Sequence, residues 1–355
     1  MPNRWLSVGL SLNIVILQNS ASQKPQAGDS GRKMVQALPP ETAQNTANSV
    51  GVNAMNALLY AAVVVIWGTT WIAISLQQQS GISASVAVFW RFFISALVLF
   101  AFAAVSGKLQ KLNRKDHLFC MLQACCIFGF NFVCFYSAVQ YVSSGLEAVI
   151  FSMAVIFNTI NAKLFFAQQV SARFYPAALL GLLGITALFW HDVLGTALNR
   201  NTLTGIALCV LGTYGFSLGN MISARHQRQG LDIFSTNAYG MLYGAMLMAL
   251  ISGFRQDDFF PGMQFSAMAA LLYLALFGSV IGFTAYFYLA GRIGAGKAAY
   301  STLLFPLVAL LISTLWEGYQ WQPNAVIGVI LILCGNAVFF IKGPRAGAAK
   351  AEKKA

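Results

Sequence analysis

The chain has 355 residues, of which 58% are hydrophobic and only 9% charged, and it carries a net charge of +12. So few charges cannot cover a soluble globule that contains 28 Phe residues, so the composition excludes an ordinary water-soluble domain and indicates a membrane protein. It also leaves no polar domain that would present a basic face, so no nucleic-acid partner is predicted despite the positive charge.

Residues 1–53 differ from the rest of the chain because they are rich in Gln, Asn, Ser, Ala and Pro. This composition predicts a disordered leader. Arg4 followed by the apolar run 6–17 is similar to a secretory signal peptide. Met34 and Met55 are alternative starts, and we favour an over-extended start codon, with a flexible cytoplasmic tail as the second interpretation.

Ten mostly apolar stretches follow, each close to the roughly 20 residues that a helix needs to cross a bilayer. All ten are predicted to be helices, because lipid offers no hydrogen-bond partner for backbone amides. The fold class is therefore all-α integral membrane. We place the spans at residues 54–76, 84–105, 118–141, 146–167, 174–190, 203–224, 233–251, 267–290, 298–316 and 325–341.

The distribution of basic residues predicts the orientation. Eighteen of the 22 Lys and Arg residues fall in the termini and in alternate gaps, whereas the other gaps hold only Arg200 and Arg255. Basic residues near span ends are retained on the cytoplasmic side. Both termini are therefore predicted to be cytoplasmic, which requires an even number of spans, and residues 343–355 form a basic cytoplasmic tail.

The two halves of the chain are similar to each other. Phe135–Ala138 matches Phe287–Ala290 at an offset of 152, and Ala177–Gly184 lies on Gly328–Gly335 within one residue of that offset. Because five spans per half is an odd number, the second copy must enter the membrane from the opposite face. The sequence thus predicts two inverted five-helix repeats, at residues 54–191 and 202–342, with a shared interface suited to alternating access.

Several short motifs are typical of one family. They are Trp67–Trp71 (Trp-Gly-Thr-Thr-Trp), Trp90–Phe92, Tyr273–Gly278, Tyr286–Ala290, Pro306 and Trp316–Gly318. With these motifs the chain resembles, over roughly residues 54–341, the EamA family of the drug/metabolite transporter superfamily. The resemblance implies ten helices in two inverted repeats and export of small metabolites, often amino acids, from bacterial cells.

The chain also departs from the family pattern. Ala154 stands where the first repeat usually has Pro, and the usual Gly-Glu near residues 165–168 is absent. A mechanism that needs two symmetric Glu residues is therefore not expected.

Charges inside spans are costly in lipid, so they usually face the protein interior. Arg91 lies about eight residues into the second span and is the leading candidate for the substrate pathway. Lys163 is close enough to its span end to snorkel to the interface. Glu147 and Glu317 lie at span ends near the outer surface, where a structural role is the expected one and coupling to protons the alternative.

Uncharged polar and aromatic side chains within the spans complete the predicted substrate pathway. Together they could form an amphipathic wall that stacks on apolar groups and offers hydroxyl and indole donors. They are Trp67, Trp71, Asn131, Tyr136, Asn158, Tyr214, Tyr286, Tyr288 and Tyr300. The pairs Gly215/Gly219, Gly240/Gly244 and Gly278/Gly282 predict close helix contacts rather than hinges.

The sequence contains no complete enzyme motif. Residues 291–298 nearly spell a phosphate loop, but Ala298 stands where Ser or Thr would reach magnesium, and no strand precedes it. Six Cys within spans and three distant His residues predict no metal site. The chain is therefore predicted to be no enzyme and to need no cofactor.

The predicted function is a secondary transporter in the bacterial inner membrane that exports an amino acid or a related metabolite. Its partners are a small-molecule substrate and membrane lipids, and a homodimer is left open. Efflux of drugs or toxic cations is the alternative within transport. A membrane-embedded lipid enzyme or a receptor is the alternative from another class.

Overall fold

The computed structural model describes residues 40–170, 172–188, 200–260, 262, 264–294, 298–299 and 301–340. The chain divides into two units, Met1–Val50 and Gly51–Ala355. In the first unit, the described part is the helical stretch 40–50. The contacts below belong to the second unit, as do the helices below apart from residues 40–50 of the first one.

All regular structure in the described residues is helical, which confirms the predicted all-α fold. The helices are α1 (Pro40–Gln78), α2 (Ala84–Val105), α3 (Arg114–Ala138), α4 (Ser144–Phe166), α5 (Phe174–Leu188), α6 (Arg200–Arg228), α7 (Ile233–Arg255), α8 (Phe265–Ile293), α9 (Ser301–Trp316) and α10 (Pro323–Phe340).

Within the described part of the chain, 7 helices are long and apolar enough to cross a membrane. Shorter apolar helical segments lie at Phe174–Gly184, Leu304–Trp316 and Pro323–Gly335, where the fifth, ninth and tenth spans were predicted. The chain is thus a multi-pass membrane protein, and the count of ten spans stays a prediction.

Two helices change their hydrogen-bonding pattern at mid-length. Residues Ala124–Phe130 of α3 and Leu274–Ile281 of α8 form π-helical turns. Such turns are rare, and they frequently occur at functional sites. In the second turn, the Ser279 hydroxyl donates to the Leu274 carbonyl at 3.0 Å, which leaves the Ser279 oxygen free to accept another donor.

The predicted close contacts at paired glycines are confirmed. A Cβ atom at Gly219 of α6 would lie 2.5 Å from the Cβ of Ile127 in α3. At Gly244 of α7 it would lie 2.8 Å from the Cβ of Phe128. At Gly282 of α8 it would overlap the Trp67 indole. Only glycine allows these backbones to approach so closely.

Helices α5 and α10 contact each other in a reciprocal way. A Cβ at Gly184 would lie 2.7 Å from the Gly328 carbonyl oxygen, and one at Gly335 would lie 2.8 Å from the Ala177 carbonyl oxygen. In the alignment of the two halves, Gly184 corresponds to Gly335 and Ala177 to Gly328. Gly184 therefore contacts Gly328 as its counterpart Gly335 contacts Ala177. This reciprocity is what a twofold axis between two related helices produces.

Candidate functional site

A cavity of about 410 Å³ lies at the end of the bundle where α4, α6 and α8 finish. We call it the vestibule. It lies among the last turns of these three helices, and its walls combine apolar, aromatic and polar side chains. The side chains that define it are Ala162, Asn220, Ser223, Ala224, Gln227, Arg228, Tyr286, Tyr288 and Arg292.

Two arginines stand at the mouth of the vestibule. The Arg228 guanidinium lies 3.8 Å from the centre of the Phe166 ring. Arg292 donates from Nε to the Asn56 side-chain oxygen at 2.8 Å and lies 5.6 Å from the ring centre of Tyr288. Among the described lining residues there is no Asp or Glu, so the mouth is positively charged.

The floor of the vestibule is a cluster of amides and one phenol. Asn220 Nδ2 lies 3.2 Å from both the Asn158 side-chain oxygen and the Tyr286 hydroxyl oxygen. Asn158 Nδ2 and Asn220 Oδ1 are buried, and neither has a hydrogen-bond partner in the part of the chain that the structure describes. Buried polar atoms are normally paired, so these two atoms are free to bind a ligand or water.

A cluster of aromatic rings closes the space behind this floor. The Trp67 ring lies 4.9 Å from Tyr286, 5.2 Å from Phe283 and 5.8 Å from Phe216, centre to centre. We call the cluster the aromatic barrier and define it as Trp67, Trp71, Phe151, Phe216, Phe283 and Phe305. Only about 40 Å³ stays open between these rings, too little for a metabolite.

Arg91 lies beyond the aromatic barrier and is 2% exposed. It donates from Nε to the Ser279 hydroxyl at 2.9 Å and from Nη1 to the Tyr136 hydroxyl at 3.5 Å. The Phe132 ring centre is 4.3 Å from the guanidinium carbon. Tyr136 donates in turn to the Gln77 side-chain oxygen at 3.0 Å. No carboxylate of the described residues pairs with Arg91, so this buried cation is balanced only by neutral oxygens and a ring face.

The two candidate acids occupy different environments. Glu317 Oε2 accepts hydrogen bonds from the Ser313 hydroxyl at 2.6 Å and from the hydroxyl and backbone N–H of Ser144 at 2.8 and 3.2 Å. It therefore ties the start of α4 to the end of α9, as the expected structural role requires. Glu147, in contrast, is 0% exposed, and neither of its oxygens has a hydrogen-bond partner among the described residues.

The structure separates the predicted pathway residues into groups. Asn158, Tyr286 and Tyr288 belong to the vestibule or its floor, Trp67 and Trp71 to the aromatic barrier, and Arg91 and Tyr136 to the cluster beyond it.

Three other candidates do not join these groups. Asn131 donates to the Gly212 carbonyl at 2.7 Å and so links α3 to α6. Tyr214 is 42% exposed on the outer face of α6, where its ring packs on Phe157. Tyr300 lies outside the described residues.

Sequence reasoning missed Arg228 and Arg292 as site residues because it used them only to orient the chain. Their positions held a usable signal, since each closely follows the end of a predicted span on the same predicted side of the membrane and lies in the last turn of the observed helix. Gln77 and Ser279 had no such signal, because their partners lie far away in sequence.

Comparison with known proteins agrees with this architecture. The sequence model of the EamA-like transporter family matches residues 54–190 and 203–341, which is most of the chain. The chain belongs to the EamA-like transporter family. It is therefore a membrane transporter, as its resemblance to that family implied.

Transporters from bacteria resemble the chain over most of their length. An uncharacterized transporter of Bacillus subtilis, YoaV, is 25% identical over 276 residues, covering 77% of this chain and 92% of its own. The uncharacterized inner membrane transporter YedA of Escherichia coli K12 is 26% identical, covering 78% and 90%. A solved crystal structure with 16% identity superposes with a TM-score of 0.61 over 81% of this chain and 97% of its own, which shows a shared fold.

Proposed function

We propose that this EamA transporter is a secondary transporter that exports an amino acid or a related small metabolite across the bacterial inner membrane. The observation that carries the proposal is the vestibule, a polar-floored cavity of about 410 Å³ that ends at the aromatic barrier. Its volume falls within the range of small-molecule sites, about 300 to 1,000 Å³. A cavity open at one end and closed at the other is the arrangement that alternating access requires.

The chemistry of the vestibule supports a substrate that carries a carboxylate. Arg228 and Arg292 at the mouth attract an anion, and neither is paired with an acid among the described residues. The free amide groups of Asn158 and Asn220 offer both a donor and an acceptor at the floor. The rings of the aromatic barrier would then contact an apolar side chain.

The route beyond the barrier supports the same proposal. Trp67 belongs to the barrier and donates from Nε1 to the Gly278 carbonyl at 3.1 Å. The next residue, Ser279, accepts from Arg91. A rearrangement of α1 against α8 would therefore open the barrier and expose Arg91 together. We propose that Arg91 receives the substrate carboxylate on the far side, which would explain why this cation has no acid partner.

The reciprocal contact of α5 with α10 supports two inverted repeats as the basis of the movement. So do the two π-helical turns, which begin at Ala124 and Leu274, an offset of 150 residues. Each repeat would supply one such helix to the substrate pathway. Repeats related in this way exchange their conformations when the transporter changes the side to which it opens.

Efflux of toxic cations is the competing function. A cation-binding cavity is expected to contain acids that pair with the substrate. The described lining of the vestibule contains two arginines and no acid, which favours a zwitterionic or anionic substrate.

The test is transport by the purified protein in lipid vesicles loaded with a mixture of amino acids, other carboxylates and quaternary ammonium compounds. We expect amino acids or related carboxylates to leave the vesicles, and we expect Arg91→Ala to slow their efflux by about tenfold, since a hydrogen bond to a charged group is lost. Lys163→Ala, which removes an exposed cation from a span, is the matched control and should retain the native rate. Efflux of the ammonium compounds alone, or an unchanged rate in Arg91→Ala, would contradict the proposal.

A further inference from the structure

We propose that Glu147 is a proton-binding site. Its protonation controls whether the transporter opens at the vestibule or at the opposite end of the bundle. The site must bind one proton before the end of the bundle opposite the vestibule can close. The inference rests on alternating access, which is part of the proposed function, but not on the identity of the substrate.

The position of Glu147 places it at the closed end of the pathway. It lies in the first turn of α4, which begins at Ser144, whereas the vestibule is lined by the last turns of the same helix near Ala162 and Phe166. Glu147 is not among the described residues that line the vestibule. Water would therefore reach its carboxyl group only when the opposite end opens.

The surroundings of Glu147 do not suit a carboxylate. The side chain is 0% exposed, and no donor in the described part of the chain bonds to either of its oxygens. An ionised carboxylate without a donor or counter-ion is far more costly to bury than a neutral carboxylic acid. The dipole of the α4 N-terminus favours a negative charge, but this effect is too small to replace the lost hydration. In this conformation Glu147 therefore carries a proton.

The titratable groups that act on Glu147 add no positive charge. Glu317 faces it from the end of α9, and its negative charge opposes a second one nearby. The Cys209 thiol faces it from α6, and the Cys134 thiol of α3 lies beside Cys209. Of these, Glu317 accepts three hydrogen bonds from Ser144 and Ser313, whereas Glu147 accepts none from the described residues.

The exchange reaction is simple. When α4, α6 and α9 separate at the far end, water enters and the carboxylic acid releases its proton to that water as the carboxylate forms. When they close again, the carboxylate takes a proton back from the same side. A rising pH on that side therefore stabilises the conformation that hydrates Glu147, and the vestibule closes in response.

The test measures this equilibrium without any substrate. Ala224 lines the vestibule, so a thiol-specific maleimide should label Ala224→Cys only while the vestibule is open. The rate is measured in detergent from about pH 6 to about pH 9, and labelling of protein without the introduced thiol is subtracted. Thiol reactivity itself rises with pH. Each rate is therefore divided by the rate at the same pH in the Glu147→Gln background.

We expect this ratio to fall by about threefold or more across the pH range, because deprotonation of Glu147 removes protein from the vestibule-open state. Glu147→Asp should keep the dependence, and Glu317→Gln should keep it as well. A ratio that does not change with pH would overturn the proposal. So would loss of the dependence in Glu317→Gln, which would assign the proton to the other acid.

A second variant serves as a control in case Glu147→Gln does not fold. Glu147→Met has no polar atoms to bury, so it should elute as a folded protein and should also show no excess pH dependence. A structural hydrogen bond from Glu147 would make Glu147→Met unstable, and that outcome would contradict the proposal. Replacing sodium with potassium at constant pH should change nothing, since a sodium effect would identify a different ion.

The two proposals fail in different ways. If the vesicles release no amino acid but labelling follows pH as expected, the proton site stands and the proposed substrate is wrong. If amino acids leave the vesicles but labelling ignores Glu147, the transport function stands and the proton site is wrong.

Discussion

Asn220 and Asn131 are both buried amides in apolar helices, yet their environments differ. Asn131 uses its amide group to bind the Gly212 carbonyl at 2.7 Å, between two packed helices. Asn220 lies on the vestibule floor, where its Oδ1 has no partner. The first amide therefore stabilises the helix pair, whereas the second is free to bind a ligand.

This difference gives a prediction at the residue scale. Asn220→Ala should weaken binding of the transported compound by about tenfold, because one hydrogen bond to the substrate is lost. Asn131→Ala, the matched control, should leave affinity unchanged but cost about 1 kcal/mol of stability, since the hydrogen bond between α3 and the Gly212 carbonyl of α6 is lost. Equilibrium binding and thermal melting of both variants in detergent would check this, and equal loss of affinity in the two would refute it.

At the scale of elements, α7 contains two glycines with opposite surroundings. A Cβ at Gly244 would lie 2.8 Å from the Phe128 Cβ and 3.0 Å from the Phe128 carbonyl oxygen. A Cβ at Gly253 would meet nothing within 4 Å. The same substitution in one helix therefore separates the contribution of helix packing from that of helix propensity.

We expect Gly244→Ala to destabilise the protein by about 1 to 3 kcal/mol, because α3 and α7 must move apart. Gly253→Ala should be neutral or stabilising by up to about 1 kcal/mol, because alanine favours the helix. Thermal unfolding in detergent measures both. Equal melting temperatures would mean that the close approach of the two helices does not contribute to stability.

The end of α7 is joined to the start of α2 by Asp257. Its Oδ2 accepts hydrogen bonds from the hydroxyls of Ser83 and Ser85 at 3.0 and 2.8 Å. Burial alone would raise the pKa of Asp257, but the hydrogen bonds from Ser85 and Ser83 and the charge of Arg255 outweigh it and lower that pKa below its usual 3.8. A group whose pKa is lowered by folding stabilises the protein above its unfolded pKa, and this contribution is lost as the pH falls through its folded pKa.

Asp257→Asn should therefore lower the melting temperature near neutral pH, by an amount that corresponds to about 1 kcal/mol. The difference from the native protein should shrink as the pH falls below about 4, because native Asp257 is then protonated as well. Asp258→Asn is the control, since Asp258 bonds only to the nearby Phe260 backbone. A difference that persists unchanged at low pH would contradict the electrostatic explanation.

For the whole molecule, the distribution of basic residues predicts which side each loop faces. The turn 229–232 follows Arg225 and Arg228, whereas the loop after α7 follows the single Arg255. Because basic residues near span ends are retained on the cytoplasmic side, the first turn is predicted to lie in the cytoplasm. The vestibule, which lies next to that turn, would then face the cytoplasm, as export requires.

Cysteine labelling of intact cells tests this orientation. A membrane-impermeant maleimide should label Asp258→Cys and should leave Gln229→Cys unlabelled until the cells are opened. Ala349→Cys, in the C-terminal tail beyond the described residues, should behave like Gln229→Cys if the number of spans is even. Labelling of Gln229→Cys in intact cells would reverse the predicted orientation and the direction of the proposed export.

The positions of the helices and the sites of close helix contact could be predicted from the sequence alone, because each depends on residues close together in the chain. Hydropathy placed the helices within a few residues of their observed bounds, because each span meets its lipid environment independently. The exception is the start of α1, which begins at Pro40, within the stretch 1–53 that the composition predicted to be disordered. The paired glycines predicted close contacts correctly, because a small residue repeated on one helix face allows close approach whatever the partner helix is.

Only the tertiary structure decided which polar side chains meet. Helices that are apolar on every side have no polar face and apolar face from which their orientation could be predicted. The sequence alone therefore does not show that Tyr214 points outward while Asn220 lines the vestibule. Position in the chain likewise placed Glu147 at a helix end, where a carboxylate would be hydrated. Packing of α6 and α9 against that end buries it, because burial depends on elements that lie far away in sequence.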